Sequence, residues 1–189
     1  MRKLIVSEFI SLDGVIQAPG GENEDRDGGF SHGGWTIPYW HDDIGAQFGS
    51  LMKNMGAVLL GRRTYVTHAE AFEPDPANDP FANTAKYVVS RTLEKPLWRN
   101  TTIIRDNVVD AIRSLKASAG KDILTDGSSQ LVRTLIANDL VDELHLLLYP
   151  VILGGGKRAF PDGTFTRFTL KEAKPYPSGV VGLHYMRAR

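Results

Sequence analysis

The sequence has no cysteine among its 189 residues. Disulfides, thiolate nucleophiles and cysteine-ligated zinc are therefore excluded. Net charge is also absent: 22 Lys and Arg balance 22 Asp and Glu. Such a balance gives no general attraction for nucleic acid or a membrane surface. No apolar run approaches the roughly 20 residues that cross a bilayer. Ser7, Glu8 and Asp13 interrupt the N-terminal run too early for a signal-peptide core. A soluble, cytoplasmic protein is expected. Charge neutrality lowers one barrier to self-association, and a homodimer is expected. No G-x-x-x-x-G-K-[ST], H-E-x-x-H or G-x-S-x-G occurs. The five histidines show no paired ligand spacing, so no metal is expected. Gly154-Gly155-Gly156-Lys157-Arg158-Ala159 spells G-x-G-x-x-A, but Pro161 follows and the neighbourhood does not open a helix.

Short apolar segments alternate with amphipathic ones. Leu4 to Ile10 reads as a central strand, short and closed by the turn-like Ser11-Leu12-Asp13-Gly14. Residues 18–40 read as a long loop rich in glycine and acid, ending in Trp35, Tyr39 and Trp40. Long loops in compact domains are uncommon and often functional. Its rings are expected either to stack on a flat ligand or to pin the loop to the body. Asp42 is placed as the N-cap of a helix over 43–55, where Ile44, Phe48, Leu51, Met52 and Met55 form one apolar stripe. Strands are predicted at 57–60, 86–90, 101–104, 122–125 and 143–149, and helices at 63–71, 108–119 and 129–137. Residues 165–173 and 180–187 read as an antiparallel pair. This order predicts one α/β domain, a mostly parallel sheet flanked by helices with an antiparallel edge.

Three predicted strands end in small polar or basic segments. They are Gly61-Arg62-Arg63-Thr64-Tyr65, Ser90-Arg91-Thr92 and Thr125-Asp126-Gly127-Ser128-Ser129. In open α/β sheets, ligands bind beyond the carboxyl ends of the strands. Two of these segments open helices, whose first N–H groups and partial positive charge suit a pyrophosphate. Arg62, Arg63 and Arg91 offer forked donors for an additional phosphate. The pattern fits NADP better than NAD.

The chain resembles the dihydrofolate-reductase-like superfamily. It is most similar to the branch that includes the reductase domain of the bifunctional riboflavin-biosynthesis deaminase/reductase. Ser11-Leu12-Asp13-Gly14-Val15-Ile16 is similar to that branch's first-strand signature, which commonly has Lys where Val15 stands. Gly61-Arg62-Arg63-Thr64-Tyr65 resembles G-R-x-T-[YFW]. Val89-Ser90-Arg91 resembles the adenosine-side strand end, and Asp126-Gly127-Ser128-Ser129 stands at the pyrophosphate turn. Pro150 to Lys157 resembles P-x-x-x-G-G-G-K.

The resemblance implies a mixed eight-stranded sheet with about four helices and antiparallel C-terminal strands. It also implies an NADPH site and hydride transfer to a small heterocyclic substrate. The nicotinamide is expected beside Val15 and Ile16. The remaining cofactor contacts are assigned to Gly61, Arg62, Arg63, Thr64, Ser90, Arg91, Thr92, Thr125, Gly127, Ser128, Ser129, Gly154 and Gly155. Trp35, Tyr39, Trp40 and Tyr149 are assigned to the substrate, and Asp43 is the candidate catalytic carboxylate. In the riboflavin branch the substrate is a ribosylaminopyrimidine phosphate. In the folate branch it is a dihydropteridine. A non-catalytic NADP-binding protein is the remaining alternative.

Overall fold

A computed structural model describes residues 1–160, 162–163 and 165–188. Pro161, used above against a dinucleotide fingerprint, lies outside them. The apolar first strand, β1 (Leu4–Ser11), is buried on both faces along almost its whole length. Such a strand must sit in the middle of a sheet covered on both sides. The other elements are α1 (Asp42–Lys53), β2 (Met55–Gly61), α2 (Arg62–Phe72), β3 (Ala85–Val89), β4 (Thr101–Ile104) and α3 (Val108–Ala117). They continue with β5 (Asp122–Asp126), α4 (Ser129–Ala137), β6 (Glu143–Tyr149), β7 (Phe168–Pro175) and β8 (Val181–Arg187).

The strands form one sheet in the order β4-β3-β2-β5-β1-β6-β8-β7. From β4 to β6 every pairing is parallel. β8 runs antiparallel to both β6 and β7. This is the dihydrofolate-reductase-like architecture expected above. Leu4, Val6 and Ile10 pack on one face with Ile112 and Leu115 of α3 and with Leu131, Val132, Leu135 and Ile136 of α4. On the other face, Val58, Leu60 and Val88 meet Tyr65 and Ala69 of α2. Ile5 and Leu124 meet Leu51 and Met52 of α1. Each fully buried aliphatic side chain contributes about 1.5–3 kcal/mol of transfer free energy.

Several boundaries differ from the sequence reading. His41, not Asp42, caps α1: its Nδ1 accepts from the Asp43 N–H at 3.2 Å. Asp42 is instead the first helical residue, where a carboxylate meets the positive end of the helix. β7 begins at Phe168 rather than Phe165, because its one partner, β8, ends at Arg187, opposite Phe168. Phe165 is left largely exposed. The loop 18–40 contains two short 3-10 turns, Asp27–Gly29 and Ile37–Tyr39. Among the described residues, no helix is long and apolar enough to cross a membrane.

Candidate functional site

The parallel strands all point their carboxyl ends the same way, and a cleft of about 1090 Å³ opens there. From β1 the chain goes to β2 on one side of β5, and from β5 it goes to β6 on the far side of β1. The diverging connections leave a crevice above β2, β5 and β1, the usual ligand position in such sheets.

One wall is made where β2 and β5 end. Gly61 caps α2 and Ser128 caps α4, and neither helix has a side-chain cap bond. Their first-turn N–H groups therefore lack intrahelical partners. The two ends are locked together. The Gly61 N–H donates to Ser128 Oγ at 2.9 Å, and the Ser128 N–H donates to Thr64 Oγ1 at 3.1 Å. Gly127 and Ser128 both have left-handed backbones, at φ 57° and 63°. At Gly127 the positive φ favours glycine, and a Cβ would stand a tight 3.3 Å from the Thr64 side chain. Two uncapped helix starts side by side make an anion site.

The second wall comes from β3. The Ser90 hydroxyl is buried and accepts from the N–H groups of Thr92 and Leu93, at 3.2 and 2.9 Å. It shapes the strand end, leaving Arg91 almost fully exposed, with Nε 3.8 Å from Asp106. Gly61, Arg62, Arg63, Thr64, Ser90, Arg91, Thr92, Gly127, Ser128 and Ser129 all line the cleft, as does Ile16. The three strand ends singled out in the sequence thus meet at one site. Arg63 is engaged elsewhere, however. It pairs with Asp25 at 2.5 Å and with Asp27. Lys157 joins the same two carboxylates at 2.5 and 2.9 Å. These cations hold both acids below the usual carboxylate range, at Asp25 against an opposing push from burial. The network latches the 18–40 loop to α2 and to the glycine-rich segment after β6. Of the other arginines lining the cleft, Arg62 has no ion pair among the described residues and Arg91 has only the long, exposed contact with Asp106, so both can turn to a phosphate.

Other assigned residues lie off the cleft. Val15 is fully buried among aromatic residues, and its N–H donates to Ser11 Oγ at 2.9 Å. Thr125 is buried inside β5 and contributes no lining surface. Gly154 donates its N–H to Asp13 Oδ2 at 2.9 Å, and Gly155 lines a separate cavity of about 480 Å³ beside Phe30 and His32. The third glycine of that run, Gly156, has φ 120° and would place a Cβ 2.8 Å from Val15. This segment is a packing device against the aromatic cluster.

The four residues assigned to substrate do not face the cleft either. Trp35 is buried, donates Nε1–H to the Gln17 carbonyl at 2.8 Å, and meets Tyr149 edge-on at 5.3 Å. Tyr39 also packs on Tyr149. Tyr149 is fully enclosed, which pushes its hydroxyl up to about 12. Trp40 is half-exposed against Gly45 of α1. Asp43 is exposed on the first turn of α1, 3.6 Å from His41 Nδ1 and outside the cleft. These five residues therefore stand apart from the cleft that gathers the phosphate-side segments. Trp35 and Tyr39 pack against Tyr149, Trp40 stays half-exposed, and Asp43 belongs to a helix start that faces solvent.

The cleft contains groups the sequence reading did not assign. Glu8 and Phe9 come from β1, Gln17 and Glu24 from the loop, His68 from α2 and Asp126 from the end of β5. His68 Nε2 lies 3.1 Å from Asp126 Oδ2. Burial alone would push this imidazole down, but Asp126 and Glu24 outweigh it and hold it above its ordinary value. Burial pushes the Glu24 carboxyl up, although it accepts from the N–H groups of Gly20 and Gly21. The available signal was Glu8 itself, an acid inside an apolar strand. Apart from the cleft, Glu143, His145 and His184 gather ligand atoms within 4.8 Å on β6 and β8. There the Glu143 carboxylate is already met by Lys3 and by both imidazoles.

Comparison with known proteins places the chain in a family. Residues 2–182 match the RibD C-terminal domain, and the chain belongs to that family. It is 30% identical to the uncharacterized protein YyaP of Bacillus subtilis (strain 168), over 97% of this chain and 94% of that one. Among solved structures, it is similar to a protein of Shewanella sp. PV-4 provisionally assigned to riboflavin biosynthesis. The TM-score is 0.77 at 21% identity, covering 99% of each chain. A diaminohydroxyphosphoribosylaminopyrimidine deaminase/5-amino-6-(5-phosphoribosylamino)uracil reductase of Thermotoga maritima matches with TM-score 0.67 at 14% identity. That match covers 99% of this chain and 57% of the other. A dihydrofolate reductase of Enterococcus faecalis, solved with NADP(H), matches with TM-score 0.65 at 16% identity over 99% and 97% of the two chains. At these identities the structural likeness is one of fold.

Proposed function

We propose that this protein is an NADPH-dependent reductase of the riboflavin-biosynthesis type. It would act on an aminopyrimidine carrying a sugar phosphate. The observation that carries the reading is the pair of uncapped helix starts at Gly61 and Ser128, locked side by side in the cleft with Arg62 and Arg91 at its rim. These donors fit a pyrophosphate and one further phosphate. Membership of the RibD C-terminal domain family supports the same reading. So does the fold shared with a reductase solved with NADP(H). When bound, the cofactor supplies hydride. The chain's own residues bind its phosphates, present Ile16 and Gln17 beside the cleft floor, and exclude water. A pteridine substrate is less well supported, because Asp43, the carboxylate offered for a pterin, lies outside the cleft. We also propose a homodimer, consistent with the exposed Ile152, Phe165 and Leu170; light scattering in solution tests it.

Titration of the purified protein with NADPH and NADH, followed by nicotinamide fluorescence, tests cofactor use. NADPH is expected to bind at least about tenfold more tightly, since one charge-assisted phosphate bond is worth about 1.5–3 kcal/mol. Oxidation of bound NADPH on adding 5-amino-6-(5-phosphoribosylamino)uracil tests the substrate. Absence of binding to either nucleotide would reject the whole reading. Binding without oxidation across pyrimidine and pteridine acceptors would leave an NADP-binding protein.

A further inference from the structure

The floor of the cleft carries a group that cofactor binding leaves without a task. Glu8 is 3% exposed and lines the cleft, and its Oε1 has no hydrogen-bond partner among the described residues. Strand pairing explains its position. β5 follows β1 only as far as Asp126, opposite Ser7. Glu8 is therefore the first β1 residue past the end of β5, and it opens into the crevice beneath the Gly127-Ser128 turn. On the other side β6 presents Leu146 at the same register, with no polar group to meet it.

A second orphan lies close by. Thr125 Oγ1 is fully buried and also unpartnered. Thr125 pairs with Val6, so it shares a face of the sheet with Glu8, two residues further along β1. Buried polar atoms without partners are costly and few in native proteins. Thr125 is shut off from the cleft, but Glu8 lines it, so the Glu8 carboxyl marks a place where a ligand completes the bonding.

The surroundings decide the state of the carboxyl. Burial pushes Glu8 well above the carboxylate range, the Asp126 charge pushes the same way, and the Gly127 N–H opposes only in part. The other charged groups along this part of the cleft are His68 from α2, bonded to Asp126, and Glu24 from the loop. Arg63 and Lys157 are held by Asp25 and Asp27. Among the described residues no cation bonds to Glu8 to offset these effects, so its neutral, proton-carrying form is favoured.

We propose that Glu8 is the acid of this cleft, donating its proton to the nitrogen or oxygen of an uncharged C=N or C=O group as the adjacent carbon is reduced. The proposal rests on the reductase reading above. The step balances. Hydride forms the new C–H bond and leaves the cofactor as NADP+. The π electrons move to the heteroatom, which takes the Glu8 proton. The Glu8 O–H bond breaks, and water reprotonates the carboxylate before the next turnover. The acidic floor also sets polarity: the acceptor end entering here is uncharged, and a phosphate on the same substrate lies toward the basic rim at Arg62 and Arg91.

Three measurements on the full chain test this. Carbon-13 NMR of the Glu8 carboxyl, assigned by Glu8→Gln, should give a titration midpoint well above the ordinary 4.5. The NADPH affinity of Glu8→Gln should stay within about twofold of wild type, because the phosphate wall is untouched. NADPH oxidation with 5-amino-6-(5-phosphoribosylamino)uracil should fall at least about 100-fold in Glu8→Gln, with partial rescue in Glu8→Asp. Wild-type turnover should decline as pH rises through the Glu8 midpoint, and Glu8→Gln should lack that limb. An ordinary midpoint overturns the proposal, and so does a fully active Glu8→Gln. If wild type binds NADPH but leaves this acceptor unreduced, the substrate reading fails. The NMR midpoint then decides Glu8 alone: an elevated value retains the neutral acid and an ordinary one removes it.

Discussion

The phosphate wall and the aromatic end of the 18–40 loop look equally unusual in sequence, yet they came to opposite ends. At the wall, Gly61 and Ser128 start helices whose first N–H groups have no partner within the helix. Backbone geometry obliges those donors to face outward, toward water or a ligand. In the loop, Trp35 and Tyr39 pack against Tyr149 of β6 and lie off the cleft. An aromatic ring is satisfied by burial against another ring, and the Trp35 N–H needed only the Gln17 carbonyl. A backbone donor at a helix start therefore predicts a site more safely than a ring in a loop does.

The largest effect that would sharpen this contrast belongs to the loop. Trp35→Ala should lower stability by about 3–5 kcal/mol, read by urea unfolding, because it empties a packed aromatic site. NADPH affinity of the folded protein should change little. A stable Trp35→Ala protein that had lost NADPH would reverse the roles of the two regions. Next comes Arg62→Ala, expected to weaken NADPH roughly ten- to a hundredfold in a fluorescence titration and NADH much less. Equal losses on both nucleotides would detach Arg62 from the extra phosphate.

A smaller effect concerns His68 at the cleft edge. Its folded imidazole is raised above 6.5. A group raised on folding stabilises fully below its unfolded value, and that share is lost as pH rises through the folded value. Wild-type unfolding free energy should fall across that window, and His68→Gln should show a shallower fall. An identical slope in both proteins would show that the Asp126 pair contributes nothing. The smallest effect is expected at Asp43. Asp43→Asn should change stability by no more than about 0.5 kcal/mol and leave NADPH affinity and turnover within about twofold. A large drop in turnover would restore Asp43 to the chemistry.

Much of the fold was legible because periodicity and turn residues report local geometry. Every predicted strand and helix from 57 to 149 has an observed counterpart, with ends shifted by a few residues. The cap of α1 was misplaced by one residue because His41, a less usual cap, accepts through its ring nitrogen. Charge pairing was not legible. Nothing near Arg63 in the chain announces Asp25 and Asp27, or their second cation at Lys157. Nor does Gly154-Gly155-Gly156 announce that its third member exists to admit Val15 and Phe30.

Residue order alone settled what is local: where strands stop, which turns need glycine, and which helices begin with unsatisfied donors. Tertiary structure decided what is a matter of partners. It turned Trp35 and Tyr149 inward, engaged Arg63 and left Arg62 without an ion pair among the described residues, and carried Glu8 past the end of β5 into the cleft. Helix starts and turns depend on a few neighbouring dihedrals. Burial and pairing depend on residues a hundred positions away, and only the folded sheet brings those together.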